Sequence, residues 1–271
     1  MDWITGERFI SVANFVYTPE KRVKDDYNKS QNTLNLHQVR NGNVIYTHTM
    51  YVRQLFEILD LISGRVIVVT HNSDINVDNL FRVPKSVVKW YSQNVNVVDL
   101  RIESIPIGLE NDRWFRGLKK KEKMLIKLTQ PRRRKNLLYV NHNAKTNPAK
   151  REELYQLFAD RSWVTIERGV NGIGFDTYLS NLYNHWFVLC PEGNGMDTHR
   201  TWETLYMGTI PIEKRNINNQ FYKDLPICFV DSWEEVTSDF LETEYARIRE
   251  SQWNMEKLTF EYWKNKILNT V

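Results

Sequence analysis

The stretch WFVLCPEGNGMDTHRTWETLYMGTIPI, Trp186 to Ile212, decides how this chain folds. It reads as an apolar strand (Trp186 to Cys190), a Gly- and Asn-rich loop (Pro191 to Asp197) and a short helix from about Thr198 to Met207. Gly208 closes that helix and a second apolar strand begins at Ile210. A glycine loop between a strand and a helix start gathers backbone N–H groups and the positive end of the helix dipole at one point. Such a point seats an anionic group, typically phosphate. Glu192, Gly193, Asn194, Gly195, Asp197 and Thr198 are therefore candidate ligand residues. Glu203 stands three and four residues past Arg200 and His199, so the three share one helix face, while Trp202, Leu205 and Tyr206 face the core. Arg200 is suited to bidentate pairing with phosphate, and Glu203 to hydrogen bonds from a sugar diol. Two plainer readings stand beside these: Gly193 and Gly195 can simply make a turn, and Asp197 can cap the helix. The spacing is neither that of a Walker phosphate loop nor that of a GxGxxG fingerprint.

Upstream of this stretch, Asn136 to Val140 reads as a buried strand and Pro148 opens a helix running to about Asp160, with Asn147 as N-cap. The polar loop between them adds Asn141, Asn143, Lys145 and Arg151 as secondary ligand candidates. Trp163 to Arg168 reads as a strand and Thr177 to Tyr183 as a helix, after a glycine-rich turn from Gly169. Downstream, Asn216 to Tyr222, Ile227 to Val230 and Trp233 to Phe240 continue a helix–strand–helix alternation, and Glu244 to Ile267 reads as one helix.

The first half alternates in the same way. Arg8 to Tyr17 reads as a first strand, stopped by Pro19, and Glu20 to Gly42 as a long loop able to serve as an acceptor flap. Val44 to Thr47 is a strand and Met50 to Ile62 a helix. Arg65 to Thr70 is a β-branched run of the kind found at the centre of a parallel sheet. The polar residues after it, His71 to Asp74, lie where α/β sheets bind ligands. Asp74 or His71 is a candidate general base, and both also fit a capped turn before a short helix at Asp78 to Phe81. Val87 to Tyr91 and Val97 to Leu100 read as further strands, and Glu103 to Ile107 leads into a turn at Gly108, bringing Gly108, Glu110 and Asn111 to the sheet edge.

Composition sets the bounds. The 271 residues are 41% apolar and 13% aromatic, with nine Trp and thirteen Tyr, which is globular and not disordered. The net charge of +4 is concentrated between Lys119 and Lys135. That run reads as a solvated linker, or as a patch for nucleic acid, a phosphorylated glycan or a membrane surface. Two cysteines give no disulfide framework, and no signal peptide or membrane span is evident, so a cytoplasmic location is expected.

The run CPEGNGMDTHRTWETLYMGTIPI resembles the donor-site signature of exostosin-like glycosyltransferases. Its matching residues are Pro191, Gly193, Gly195, Asp197, His199, Arg200, Trp202, Glu203, Gly208 and Pro211. THNSD (Thr70 to Asp74) and IPIGLEN (Ile105 to Asn111) are similar to upstream pieces of that family, where the latter turn lies near the donor sugar. The resemblance covers about a quarter of the chain. It implies an α/β fold of GT-B architecture, two Rossmann-like domains facing a central cleft, and a nucleotide-sugar donor held without an obligatory metal or other cofactor. The expected domains are 1–130 on the acceptor side, 131–250 for the donor, and a final helix in 251–271 returning to the first. Because this chain shows no anchor, a bacterial or viral enzyme is the expectation. The acceptor is a glycan or, in a viral setting, the hydroxylated bases of DNA. A nucleotide- or sugar-binding module without catalysis is the remaining alternative.

Overall fold

Two parallel sheets organise the chain. The computed structural model describes residues 1–19, 32–114, 116–133, 136–168 and 170–270, the side chains of 170–173 excepted. The chain divides into two units, one of Met1–Arg113 with Glu256–Val271 and the other Trp114–Met255. The boundary thus falls ahead of the basic run instead of within it. Among the described residues no helix is long and apolar enough to cross a membrane.

The first unit holds β1 (Phe15–Tyr17), β2 (Val44–His48), β3 (Val66–His71), β4 (Val87–Ser92) and β5 (Ile102–Ser104) in that spatial order, all parallel. Every residue of β2 and β3 is buried, as expected of strands covered on both faces. Helix α1 (Val52–Leu59) packs Val52, Leu55, Phe56 and Leu59 inward. Three readings of this half are corrected. The first half of the supposed first strand belongs to a 3-10 helix, Gly6–Val12, in which Gly6, Phe9 and Val12 recur every third residue on the buried side. Val97 to Leu100 is no strand, because Val98 and Leu100 are 87% and 97% exposed and have nothing to pack on. Asp78 to Phe81 is a turn, with the Asp78 carboxylate accepting from Leu80 N at 3.0 Å. Residues 20–31, most of the expected acceptor flap, lie outside the described residues.

The second unit opens with α2 (Gly117–Leu128), so the lysine-rich part of the basic run, Lys119 to Lys127, is helical and not a linker. Gly117, Lys121 and Met124 form its buried side, packed on α4 (Val170–Asn184), and the Lys123 ammonium pairs with Asp176 at 2.6 Å. Arg134 and Lys135 lie outside the described residues. The sheet comprises β6 (Leu138–Val140), β7 (Val164–Ile166), β8 (Phe187–Leu189), β9 (Ile210–Lys214) and β10 (Cys228–Val230), all parallel, in the order β10-β9-β8-β6-β7. The chain therefore starts in the middle at β6, steps outward to β7, and then returns to build β8, β9 and β10 on the other side. Helices α3 (Pro148–Leu157), α5 (His199–Tyr206) and α6 (Ser238–Glu250) complete the unit. Its core joins Leu138, Phe158, Phe187, Ile212, Val230 and Leu241.

The expected long C-terminal helix is two. α6 ends where the Trp253 indole turns back to Ile248 O at 2.7 Å, and α7 (Phe260–Leu268) belongs to the first unit. There Phe260 N and Glu261 N donate to the backbone and carboxylate of Asp2, and Phe260 meets Phe9 edge-on at 5.4 Å.

Candidate functional site

A strand order that reverses direction leaves a crevice outside the carboxyl ends of the two strands where it reverses, and α/β sheets bind ligands there. In the second unit that point lies between β6 and β8. Asn141 and His142 follow β6, and the Cys190–Thr198 loop follows β8. The first unit's sheet runs in unbroken order and has no such reversal.

Arg151 shapes the loop. Its buried guanidinium donates to three carbonyls, from Nε to Glu192 O (2.7 Å), from Nη2 to Pro191 O (3.0 Å) and from Nη1 to Asn143 O (3.0 Å). Burial, with Arg200 close by, pulls its pKa down to about 10. Asn147 occupies the N-cap position of α3, but its side chain instead donates to Gly193 O at 2.8 Å. A Cβ on Gly193 would stand 3.2 Å from Arg151 Nη2, so glycine permits the close approach of loop and clamp. The Gly193 amide bonds Gly195 O within the loop.

Helix α5 starts at the loop's end, with Thr198 as N-cap residue and no side-chain cap bond. Asp197 is not the cap. It is buried and accepts from the Trp202 indole at 2.8 Å, pinning the loop to the helix core. The helix is less amphipathic than its sequence implies, since Thr201 to Tyr206 are all buried. Arg200 is half-buried and reaches toward β6: Nη1 is 3.4 Å from Tyr178 Oη and Nη2 is 3.4 Å from Asn141 Oδ1. Both contacts are long for hydrogen bonds, and a phosphate oxygen at ~2.8 Å would bind the guanidinium better. The Tyr178 hydroxyl donates to Glu203 Oε2 at 2.5 Å, linking the expected phosphate and sugar ligands. Burial holds the Tyr178 phenol well above its ordinary pKa, so it stays a neutral donor.

Asn141 is fully buried, and its Nδ2 and the buried His142 Nδ1 have no hydrogen-bond partner among the described residues. His142 stacks on Tyr155 with ring centres 4.3 Å apart, and its Nε2 donates to Arg151 O at 2.9 Å. Burial lowers its pKa to about 4, so the ring is neutral and Nδ1 is a bare acceptor at neutral pH.

The structure thus gathers Asn141, Arg200 and Glu203 and adds Tyr178. The other candidates take different parts. Glu192 pairs with Lys150 and accepts from Asn216 Nδ2 at 2.9 Å. Asn143 is exposed and caps the 3-10 turn Ala144–Thr146 through Lys145 N. Asn194 and His199 are exposed at the loop surface. Gly108 is a packing residue of the first unit: its φ is +66°, and a Cβ there would stand 2.3 Å from Ile4 O. His71 is buried, donates from Nε2 to Pro106 O at 3.0 Å and accepts from Asn72 N at Nδ1, so neither nitrogen is open to take a proton. Asp74 lies exposed in the following turn.

Two residues that sequence reasoning passed over stand out. Tyr178 sat in a segment read only as a helix. Glu213 ends the IPIEK strand β9, where an acid at an inward position of an apolar strand was the available signal. It accepts from Thr201 Oγ1 and from Asn219 Nδ2 at 3.1 Å. Burial, reinforced by Asp197 and Glu192, pushes its pKa up to about 8. Cys190, at the end of β8, is an inert buried thiol whose pKa burial raises to about 12.

No protein-family model matches the sequence, and no curated protein matches it either.

Proposed function

We propose that this chain is a glycosyltransferase that takes a sugar from a nucleotide-diphosphate donor bound at the β6/β8 reversal of its second unit, within a GT-B arrangement. The observation that carries the reading is Arg200, half-buried at the sheet's carboxyl edge, over the Tyr178 ring and 3.4 Å from its two hydrogen-bonding neighbours, beside the Asn141 Nδ2 that has no partner among the described residues. In this reaction an acceptor hydroxyl oxygen attacks the anomeric carbon. The bond from that carbon to the diphosphate oxygen breaks, and the hydroxyl proton passes to a base. Negative charge grows on the leaving diphosphate, where Arg200 and the amino end of α5 stabilise it. Glu203, oriented by Tyr178, accepts from hydroxyls of the donor. His71 has no role as the base, since both of its nitrogens are occupied.

The test is incubation of the protein with a panel of nucleotide sugars, with glycans and hydroxylated-base DNA as acceptors, following release of nucleoside diphosphate and labelled product. Release from one donor, accelerated by one acceptor, is the expected result. Tight nucleotide binding with no release under any acceptor would make the protein a binding module, and no nucleotide binding at all would end the proposal.

A further inference from the structure

A cavity of about 310 Å³ opens at the outer edge of β10, the last strand of the second sheet, where that strand meets α6. Its size falls in the range of pockets that take small molecules. It lies two strands away from β8 and the nucleotide crevice. Phe229 of β10, Phe240, Glu244 and Arg247 of α6, and Arg215 and Trp253 line it. Phe240, Glu244 and Arg247 are spaced i, i+4 and i+7, so α6 turns all three to one side. The three aromatic rings are half-buried, and among the described residues none of them packs on another ring. Elsewhere in the unit large rings do pair, Trp186 with Tyr245 at 4.3 Å and Trp202 with Tyr222 at 5.2 Å. The Trp253 indole N–H is bonded to Ile248 O at 2.7 Å, which fixes the ring and leaves its surface, not its donor, to a ligand.

The charges around these rings are matched. Arg247 donates to both carboxylate oxygens of Glu244, from Nε at 2.9 Å and from Nη2 at 2.7 Å. Arg215 pairs with Asp231 at 3.2 Å and donates from Nη2 to Phe229 O at 3.1 Å. With Lys223 and Glu235, which also line the cavity, the cations Arg215, Lys223 and Arg247 stand against the carboxylates Asp231, Glu235 and Glu244. A phosphate would gain no net attraction there, and would have to displace a carboxylate from its guanidinium. An added β-strand would need the Phe229 carbonyl on the open edge of β10, which Arg215 already occupies. A sugar hydroxyl, by contrast, donates and accepts at once. Two neighbouring hydroxyls therefore match a guanidinium and a carboxylate held side by side. The C–H face of a pyranose ring matches the negative face of an aromatic ring. Rings and paired charges together select a neutral polyhydroxyl ligand.

We infer that the cavity between β10 and α6 is a carbohydrate-binding subsite, which takes one uncharged pyranose ring of a glycan against Phe240 and Trp253, with vicinal hydroxyls bonded to Arg247 and Glu244. The subsite is separate from the donor crevice and binds whether or not sugar transfer occurs there.

Saturation-transfer difference NMR of the full chain with D-glucose, D-galactose, D-mannose and N-acetyl-D-glucosamine tests this. At least one of the four is expected to bind with a Kd on the order of 1 mM, as suits a shallow site for a single ring. Trp253→Leu and Glu244→Gln are each expected to weaken that binding by about tenfold, and Arg200→Ala to leave it unchanged. Glu244→Gln keeps the size of the side chain, so with a circular-dichroism spectrum like that of the wild type it decides the matter even where Trp253→Leu unfolds. Absence of binding by all four sugars overturns the inference, as does binding that Glu244→Gln leaves intact. Binding that Arg200→Ala abolishes overturns it by putting the sugar in the β6/β8 crevice. Inorganic phosphate that displaces the bound sugar overturns it in favour of an anion site.

Discussion

Arg200 and Glu213 are the two charged groups whose surroundings set measurable behaviour. Among the described residues Arg200 makes no hydrogen bond shorter than 3.4 Å and lies over the Tyr178 ring, so removing it strips the crevice of its cation without breaking a short bond. Arg200→Ala is expected to lower donor turnover by roughly tenfold to a thousandfold, with a circular-dichroism spectrum like that of the wild type. Steady-state kinetics of nucleotide-sugar breakdown checks this, and full activity in the variant would remove Arg200 from the mechanism. Glu213 affects stability instead. The unfolded chain gives up this proton near the ordinary 4.5, whereas burial keeps it on the folded protein to about 8. Between those values the folded state binds more protons, so its stability falls as pH rises and levels off above the upper one. Glu213→Gln, which has no such proton and can still accept from Thr201, is expected to flatten that decline. Calorimetric midpoints measured across the window decide it.

At the scale of elements, two glycines at positive φ separate packing from ligand binding. Gly208 ends α5 at φ +64°, where an added Cβ would come 3.4 Å from the flexible Arg132 guanidinium, while Gly108 would drive a Cβ into the fixed carbonyl of Ile4. Gly208→Ala is expected to cost about 1 kcal/mol. Gly108→Ala should cost more, on the order of 2–3 kcal/mol, without changing nucleotide affinity. Denaturant titration with a parallel binding measurement distinguishes a packing glycine from a ligand glycine. The elements also show what the sequence could and could not reveal. Runs such as Val66–Val69 and Phe187–Leu189 announced buried parallel strands, and the Pro191–Thr198 loop announced the strand–loop–helix corner. Gly6, Phe9 and Val12 did not announce a 3-10 helix, because a short apolar run of mixed spacing fits a strand equally well. The basic run did not announce a helix, because its buried side rests on Lys121 and Met124 as much as on aliphatic residues. Within the site, Arg200 and Glu203 were legible from their spacing. Tyr178 was not, because it reaches Glu203 only through the docking of α4, which no local pattern encodes. Arg151 reads as a ligand in the sequence because two of its three carbonyl partners, Pro191 and Glu192, are distant from it along the chain.

Across the whole molecule, the reversal in strand order is confined to the second unit, so ligand effects should be confined with it. A nucleoside diphosphate at 100 times its Kd is expected to stabilise the protein by about 2.7 kcal/mol. Hydrogen–deuterium exchange should show the new protection in the segments after β6 and β8 and through the first turn of α5, with the amides of β2 and β3 unchanged. Protection centred on the His71–Asp74 turn instead would move the nucleotide to the first unit.

The first unit is completed from both ends of the numbering, 1–113 and 256–271, with Asp2 holding the start of α7 and Tyr91 Oη 2.7 Å from Thr270 Oγ1. A ribosome therefore delivers every residue of the second unit before the last helix of the first. The nascent chain must carry an unfinished half, its Phe9 side still uncovered, for as long as it takes to translate residues 114–255. Chaperones and proteases would meet that half first, although it is the earlier one to be made.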